Sequence, residues 1–243
     1  MDDKARTLLI IAAYNEEENL GALIRELKEH EGTFDFVIIN DGSVDATAAI
    51  GLDAGAKVLL LPTNLGIGGA IQTGYRYARD NGYDIAVQVD GDGQHDIAYL
   101  EDVIRPILAG EADYSIGSRF VTGEGFQSSM ARRTGIRFLS WWIRCLCGVR
   151  VRDVTSGYRA VDRRFIELFA EDYPDDYPEP KAIISAALAG GRIAEVPVIM
   201  RERSGGVSSI NLRRSIYYMI KVTLDILVCR IGYGLQGRET KKR

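Results

Sequence analysis

The 243-residue chain is poor in cysteine and histidine, with three and two respectively, carries no excess of basic charge, and has no long apolar run free of charged residues. Cys145, Cys147 and Cys229 cannot all pair, and a Cys-x-Cys without histidine or further cysteine partners makes a poor zinc site. They are expected to be reduced core or interface residues of a cytosolic protein. A net charge of -4 argues against nucleic acid as the main partner, because neutralising phosphates needs a basic face. The final apolar stretch, 215–234, is long enough to cross a bilayer, but Lys221, Asp225 and Arg230 interrupt it, so no span is predicted. At the N-terminus the apolar run is too short for a signal peptide and acids precede it, so export by that route is not expected. No repeat or low-complexity tract is present, and the 46% hydrophobic and 26% charged composition fits a soluble globular protein.

What the chain does have is alternation of short apolar runs with helical patterns. Strands are predicted at 7–14, 34–41, 56–62 and 84–90. Helices are predicted at 15–30, with acids in its first turn, at 43–55, opened by a Ser or Asp cap and closed by Gly55, and at 66–82. Such βαβ units imply an α/β fold with a mostly parallel sheet covered on both faces. Beyond residue 90 the rhythm loosens. A helix at 97–110, a strand at 113–120, a polar loop at 121–131 and a helix from about 132 to 147 are predicted, with a further helix in "KAIISAALAGG" and a strand in "IAEVPVIMR". For 149–169 the pattern predicts no definite element.

In a parallel α/β sheet ligands sit at the carboxyl ends of the strands, which is where "VDGDGQHD" places Asp90, Asp92 and Gln94. Residues i and i+2 of an extended chain point the same way, so the two carboxylates can share one ion, and hard oxygen donors suit Mg²⁺ or Mn²⁺ with a substrate diphosphate completing the shell. Gly91 and Gly93 would let a bulky ligand approach the backbone. The competing reading is an acidic turn that ends a strand. Asn15, Glu16, Asp41 and Asp45 fall at the ends of the first two strands. His95 is expected to cap the following helix. The run Gly66, Gly68, Gly69 is not a dinucleotide fingerprint, because Ile71 stands where the third glycine belongs; close helix–sheet packing beside a nucleotide explains Gly68 and Gly69 better.

The ordered set "AAYNEE", "INDGSVD", "NLGIGGAIQTG" and "VDGDGQHD" resembles the inverting family 2 glycosyltransferases of the GT-A fold. "GSRF", "VRDVTSGYRA" and "GGRIAEVPVIMRERSGGVSSI" extend the resemblance toward dolichol-phosphate and other polyprenyl-phosphate sugar synthases, from Leu8 to about Ile210. Two positions depart from the family pattern: Ala12 replaces a proline, and Asn40 replaces the first acid of Asp-Asp-Gly-Ser. Neither touches the acidic pair; Asn40 bears on nucleobase preference.

The resemblance implies donor contacts from Ala13, Tyr14, Asn15, Glu16, Asp41, Asn64, Gly69, Asp90 and Gly91, with Asp41 on the nucleobase and Asn15 and Glu16 near the ribose. It implies a metal held by Asp90, Asp92 and Gln94, and acceptor contacts from Arg119, Arg132, Arg133 and Ser156. Asp153, Arg119 and Arg203 are the implied catalytic set, with Arg201, Arg203 and "SGGVSS" able to close over the diphosphate. A lipid phosphate acceptor needs cations rather than a strong base, whereas a sugar hydroxyl needs a carboxylate, for which Asp153 and Glu179 are candidates. Asp153 could instead form a salt bridge with Arg152 or Arg159.

Arg133, Arg137, Ser140 and Arg144 fall on one face of the helix near 132–147, with apolar residues and two tryptophans mainly elsewhere; Arg214, Lys221 and Asp225 form a narrow stripe on the last helix. Such patterns suit an anionic membrane surface, or alternatively a core or homodimer contact. The expected organisation is a GT-A catalytic domain over 1–210, an amphipathic interfacial or dimerisation helix over 211–235 and a basic tail over 236–243. The expected activity is transfer of a hexose from a nucleotide sugar to a polyprenyl phosphate at the cytoplasmic membrane face, or alternatively to a sugar hydroxyl of a lipid-linked or cell-wall glycan. A haloacid-dehalogenase-like phosphatase is disfavoured by Gln94 and by the mid-chain position of Asp-x-Asp, and a non-catalytic sugar-nucleotide sensor would not need the acidic pair.

Overall fold

The computed structural model describes residues 5–30, 32–124, 130–201 and 212–239. Among them, β1 (Thr7–Ala13), β2 (Asp35–Asn40), β3 (Val58–Leu60) and β4 (Ile85–Asp90) alternate with α1 (Leu20–Glu29), α2 (Thr47–Asp53) and α3 (Gly66–Asp80). After β4 come a 3-10 turn (Ile97–Tyr99), α4 (Leu100–Leu108), β5 (Tyr114–Ser118) and α5 (Met130–Cys147). Then follow β6 (Arg159–Asp162), α6 (Arg163–Glu171), α7 (Pro178–Leu188), β7 (Ile193–Pro197) and α8 (Leu212–Glu239). The strands form one sheet in the order β3-β2-β1-β4-β6-β5-β7. All pairings are parallel except those of β6, which runs antiparallel to both β4 and β5.

Every residue of β1 is buried, as expected for a parallel strand covered on both faces. One face of the sheet packs under α3, α5, α6, α7 and α8 through residues such as Ile10, Tyr75, Leu139, Phe169 and Ile226. The other packs under α1 and α4 through Ile11, Leu23, Val89 and Val103. Gly74 lets α3 approach the sheet: a Cβ there would lie 2.1 Å from the Ile10 side chain. The glycine that packs helix on sheet is therefore Gly74, whereas Gly68 sits beneath the carbonyls of Pro174 and Asp175 and Gly69 against Leu65.

Three local expectations are corrected. The acids 16–18 precede α1 rather than occupying its first turn, because Asn15 adopts a left-handed conformation (φ 55°) and the Glu16 carbonyl accepts from both Asn19 and Leu20. His95 caps nothing; the cap of the 3-10 turn is Asp96, whose carboxylate accepts from the Ala98 N–H. The undefined stretch 149–169 supplies β6 in the middle of the sheet and most of α6.

Candidate active site

The carboxyl ends of β1, β2 and β4 open onto one cavity of about 440 Å³. Ala13, Tyr14 and Glu16 line it from β1, Asp41 and Asn64 from the loops after β2 and β3, and Asp90, Gly91 and Asp92 from the end of β4. Asp41 is buried, and its Oδ1 accepts from the Leu65 N–H at 2.7 Å, which ties the second strand end to the start of α3. The Asn64 Oδ1 accepts from the Gly66 N–H, shaping the same turn. Asn15 does not line the cavity: its side chain accepts from the Val44 N–H and its own N–H donates to the Ser43 hydroxyl, joining the loops that follow β1 and β2. Gly69 does not line it either, being packed against Leu65 in the first turn of α3.

Asp90 is held from two sides. Its N–H donates to Nδ1 of His95 at 3.1 Å, and Nε2 of the same ring lies 3.5 Å from Oδ2. The ring is buried, stacks on Tyr158 with centroids 4.9 Å apart, and has its pKa lowered to about 4, first by burial. His95 is therefore neutral at physiological pH, and with Nδ1 accepting, its proton resides on Nε2, facing the carboxylate. On the other side Gly157 lies so close that a Cβ would fall 2.9 Å from Oδ2. Asp92 turns one oxygen to the Gln94 N–H at 3.0 Å. Gln94 is not among the lining residues, and its amide Nε2 is 3.5 Å from the Arg201 carbonyl, so only its backbone N–H, not its side chain, meets the acidic pair.

These groups fit a divalent ion. Among the described residues no group of three or more His, Cys, Asp or Glu side chains converges on one point, but two carboxylates lining one cavity match cations completed by substrate phosphates. Glu179, at the start of α7, lines the cavity as well; burial raises its carboxyl above the ordinary range, against the lowering by Arg159, while Asp90 raises it further and Arg132 lowers it.

Beside the cavity, Arg119 and Asp153 form a buried bidentate pair: Nε to Oδ2 at 2.7 Å and Nη2 to Oδ1 at 2.8 Å, with the Arg119 N–H also on Oδ2 at 3.1 Å. The partner of Asp153 is therefore Arg119, not Arg152 or Arg159, because β6 brings residue 153 to the carboxyl end of β5. Arg159 is instead fully buried and donates to the Glu179 and Val154 carbonyls. Ser156 is corrected as an acceptor ligand: its buried hydroxyl donates to the Gly117 carbonyl at 2.6 Å and accepts from the Tyr158 N–H. Arg132 is exposed on the first turn of α5, and Arg133 lines a separate groove. Arg203 and the "SGGVSS" segment lie outside the described residues; Arg201, just before them, is clamped by Glu26 and Asp96 at 2.8 Å each.

The profile of the domain described as Glycosyl transferase family 2 matches residues 8–166, which contain every strand end of this cavity. The chain belongs to glycosyl transferase family 2. It is 29% identical to the polyprenol monophosphomannose synthase of Mycolicibacterium smegmatis over 98% of this chain and 90% of that one. It is 31% identical to the undecaprenyl-phosphate mannosyltransferase of Micrococcus luteus over 85% of this chain and 88% of that one. Among solved structures, the glucosyl-3-phosphoglycerate synthase of Mycobacterium tuberculosis, in complex with Mn²⁺, uridine diphosphate and glucosyl-3-phosphoglycerate, superposes with a TM-score of 0.68. At 20% identity it covers 94% of this chain and 81% of its own. The expected GT-A fold and glycosyltransferase class are thus found. What sequence reasoning missed are the two residues that position Asp90: Gly157, whose signal is a glycine just before a strand, and His95, whose buried acceptor role leaves no periodic mark.

Proposed function

We propose that this family 2 glycosyltransferase is an inverting, metal-dependent enzyme. It moves a hexose from a nucleotide sugar to a polyprenyl phosphate, as a peripheral protein at the cytoplasmic membrane face. The observation that carries the reading is the cavity lined at once by Asp41 and Glu16 and by the acidic pair Asp90 and Asp92. The polyprenyl-phosphate acceptors named for the mycobacterial and micrococcal relatives support the acceptor class. Among the described residues no helix is long and apolar enough to cross a membrane, which fits a protein that meets a lipid substrate from one side.

Asp41, buried and fixed by Leu65, presents a carboxylate to the N–H edge of a nucleobase. Asp90 and Asp92 would hold Mg²⁺ or Mn²⁺, which offsets the charge that builds on the departing diphosphate. An acceptor phosphate is already anionic at neutral pH, so it needs cations to place it and no base to activate it. Arg119 and Arg132 are the cations nearest to that task, and Asp153 fixes the orientation of Arg119 rather than taking a proton. A sugar hydroxyl as acceptor would require a base, and Glu179 with its raised pKa is the observation in favour of that second reading. The domain organisation we infer is a catalytic unit through residue 210 followed by a membrane-facing helix and a basic tail.

The test is a panel of nucleotide sugars incubated with polyprenyl phosphate and Mg²⁺ or Mn²⁺, the lipid product identified by mass and its anomer by NMR. One donor should give a glycosylated polyprenyl phosphate of inverted configuration, and Asp92→Asn should reduce turnover at least about a hundredfold. Near-normal turnover of that variant refutes the metal role; loss of turnover in Glu179→Gln together with a sugar-hydroxyl product selects the second reading.

A further inference from the structure

A second and larger concavity, about 830 Å³, lies between α5 and the chain that leads into β6. Arg133, Arg137 and Arg144 line it from successive turns of α5, and Arg150 and Arg152 from the opposite wall. Glu195 is the one acid among the described residues that line it, and its two oxygens already accept the backbone N–H groups of Arg152 and Asp153 at 2.8 Å. Among the described residues none of the five guanidinium groups has a carboxylate partner within 4.0 Å. Five cations against a single carboxylate leave the groove with an excess of positive charge that an anion would offset. This groove is separate from the donor cavity, with which it shares no lining residue.

We infer that the groove binds the phosphate headgroup of an anionic membrane phospholipid that is not the acceptor. The arginine fork geometry suits phosphate oxygens, and the volume holds a headgroup with its glycerol rather than a single free phosphate. The lipid source follows from what flanks the groove. Trp141 at its lip is 55% exposed and packs beside the apolar ring of Phe138, and an exposed tryptophan, apolar with one N–H, suits the headgroup layer. Helix α8 packs on α5, burying Val222 and Ile226 while Ile220, Leu224, Val228 and Ile231 stay exposed along one outer face. The inference rests on the membrane-facing reading above and adds a defined headgroup site to it.

The experiment measures binding of the full chain to vesicles of phosphatidylcholine alone and of phosphatidylcholine with phosphatidylglycerol at three to one, by co-sedimentation. The variant is Arg137→Gln with Arg144→Gln and Arg150→Gln, all exposed side chains. A charge-matched control carries Arg25→Gln, Arg105→Gln and Arg163→Gln, on other faces of the protein. We expect the wild type and the control to prefer the anionic vesicles, and the groove variant to lose on the order of a hundredfold in partitioning with an unchanged melting curve. Equal binding of wild type and groove variant, or equal loss in the control, overturns the inference. So does release from the vesicles by millimolar inorganic phosphate at constant ionic strength, which assigns the groove to a soluble phosphate. Because vesicle binding is read without donor or acceptor, failure of the transfer assay leaves this result separately interpretable.

Discussion

Replacing Gly157 by alanine isolates the geometry of the acidic pair from its chemistry. Gly157 has no left-handed φ, so alanine fits the backbone. Its Cβ, however, would lie 2.9 Å from Oδ2 and 3.1 Å from Oδ1 of Asp90, inside the normal contact distance that begins near 3.4 Å. The carboxylate must retreat by roughly half an ångström, which equals the tolerance of a preorganised site. Because the atom displaced is the end of a partly exposed side chain, stability should change by less than about 1 kcal/mol. Affinity for a metal nucleoside diphosphate should fall about tenfold or more, on the order of 1.4 kcal/mol. Calorimetric titration of Mn²⁺ with uridine or guanosine diphosphate, beside urea unfolding, separates the two quantities. An unchanged Kd in Gly157→Ala refutes the claim that Asp90 must occupy this position, and a matching collapse of stability shows that the contact is a packing contact instead.

Asp153→Asn should behave as a folding lesion: removing one charge of the buried Arg119–Asp153 pair leaves the other uncompensated and is expected to cost about 3 kcal/mol in urea unfolding. A variant of normal stability that has lost only turnover would restore Asp153 as a base. The metal-free protein should also weaken in acid. The pKa of His95 falls from 6.5 unfolded to about 4 folded, so the unfolded state binds the proton first. Stability is full above pH 6.5 and declines as pH drops toward 4, by about 2 kcal/mol at pH 5. Urea midpoints at pH 7.5 and 5 measure this, and His95→Asn should flatten the dependence; a slope unchanged in that variant assigns the proton elsewhere.

The first four strands were legible because parallel strands buried on both faces read as continuous apolar runs, and their ends carry the polar residues that line the cavity. The second half was harder for a physical reason. Strand β6 is four residues long and ends in Arg159 and Asp162, so nothing local marks it as central; its place is set by pairing with β4 and β5. The Arg119–Asp153 pair depends on the same pairing, as does the contact of Gly157 with Asp90, and no spacing rule connects residues that far apart. Ser156 and Gly69 illustrate the converse: residues of the right type beside the site whose hydrogen bonds or packing are spent inside the protein. On α5, by contrast, helical spacing alone aligned Arg133, Arg137, Ser140 and Arg144, and those residues do share one groove.

The reversed strand β6 also governs when the site can come into being. Strands β1, β2 and β3 pair with neighbours close in sequence, and β4 joins β1 across the intervening helices, so the nucleotide half assembles from residues that all precede α5. The contacts that Asp153 and Gly157 make with Arg119 and Asp90 arrive only after β6 slots between β4 and β5, a closure that follows the whole of α5. Nascent chains that end before β6 therefore hold Asp90 and Asp92 with neither Gly157 nor the Arg119–Asp153 pair beside them. The surroundings of the acidic pair are therefore completed by the reversed strand β6, with α6, α7 and β7 still to follow it in the chain.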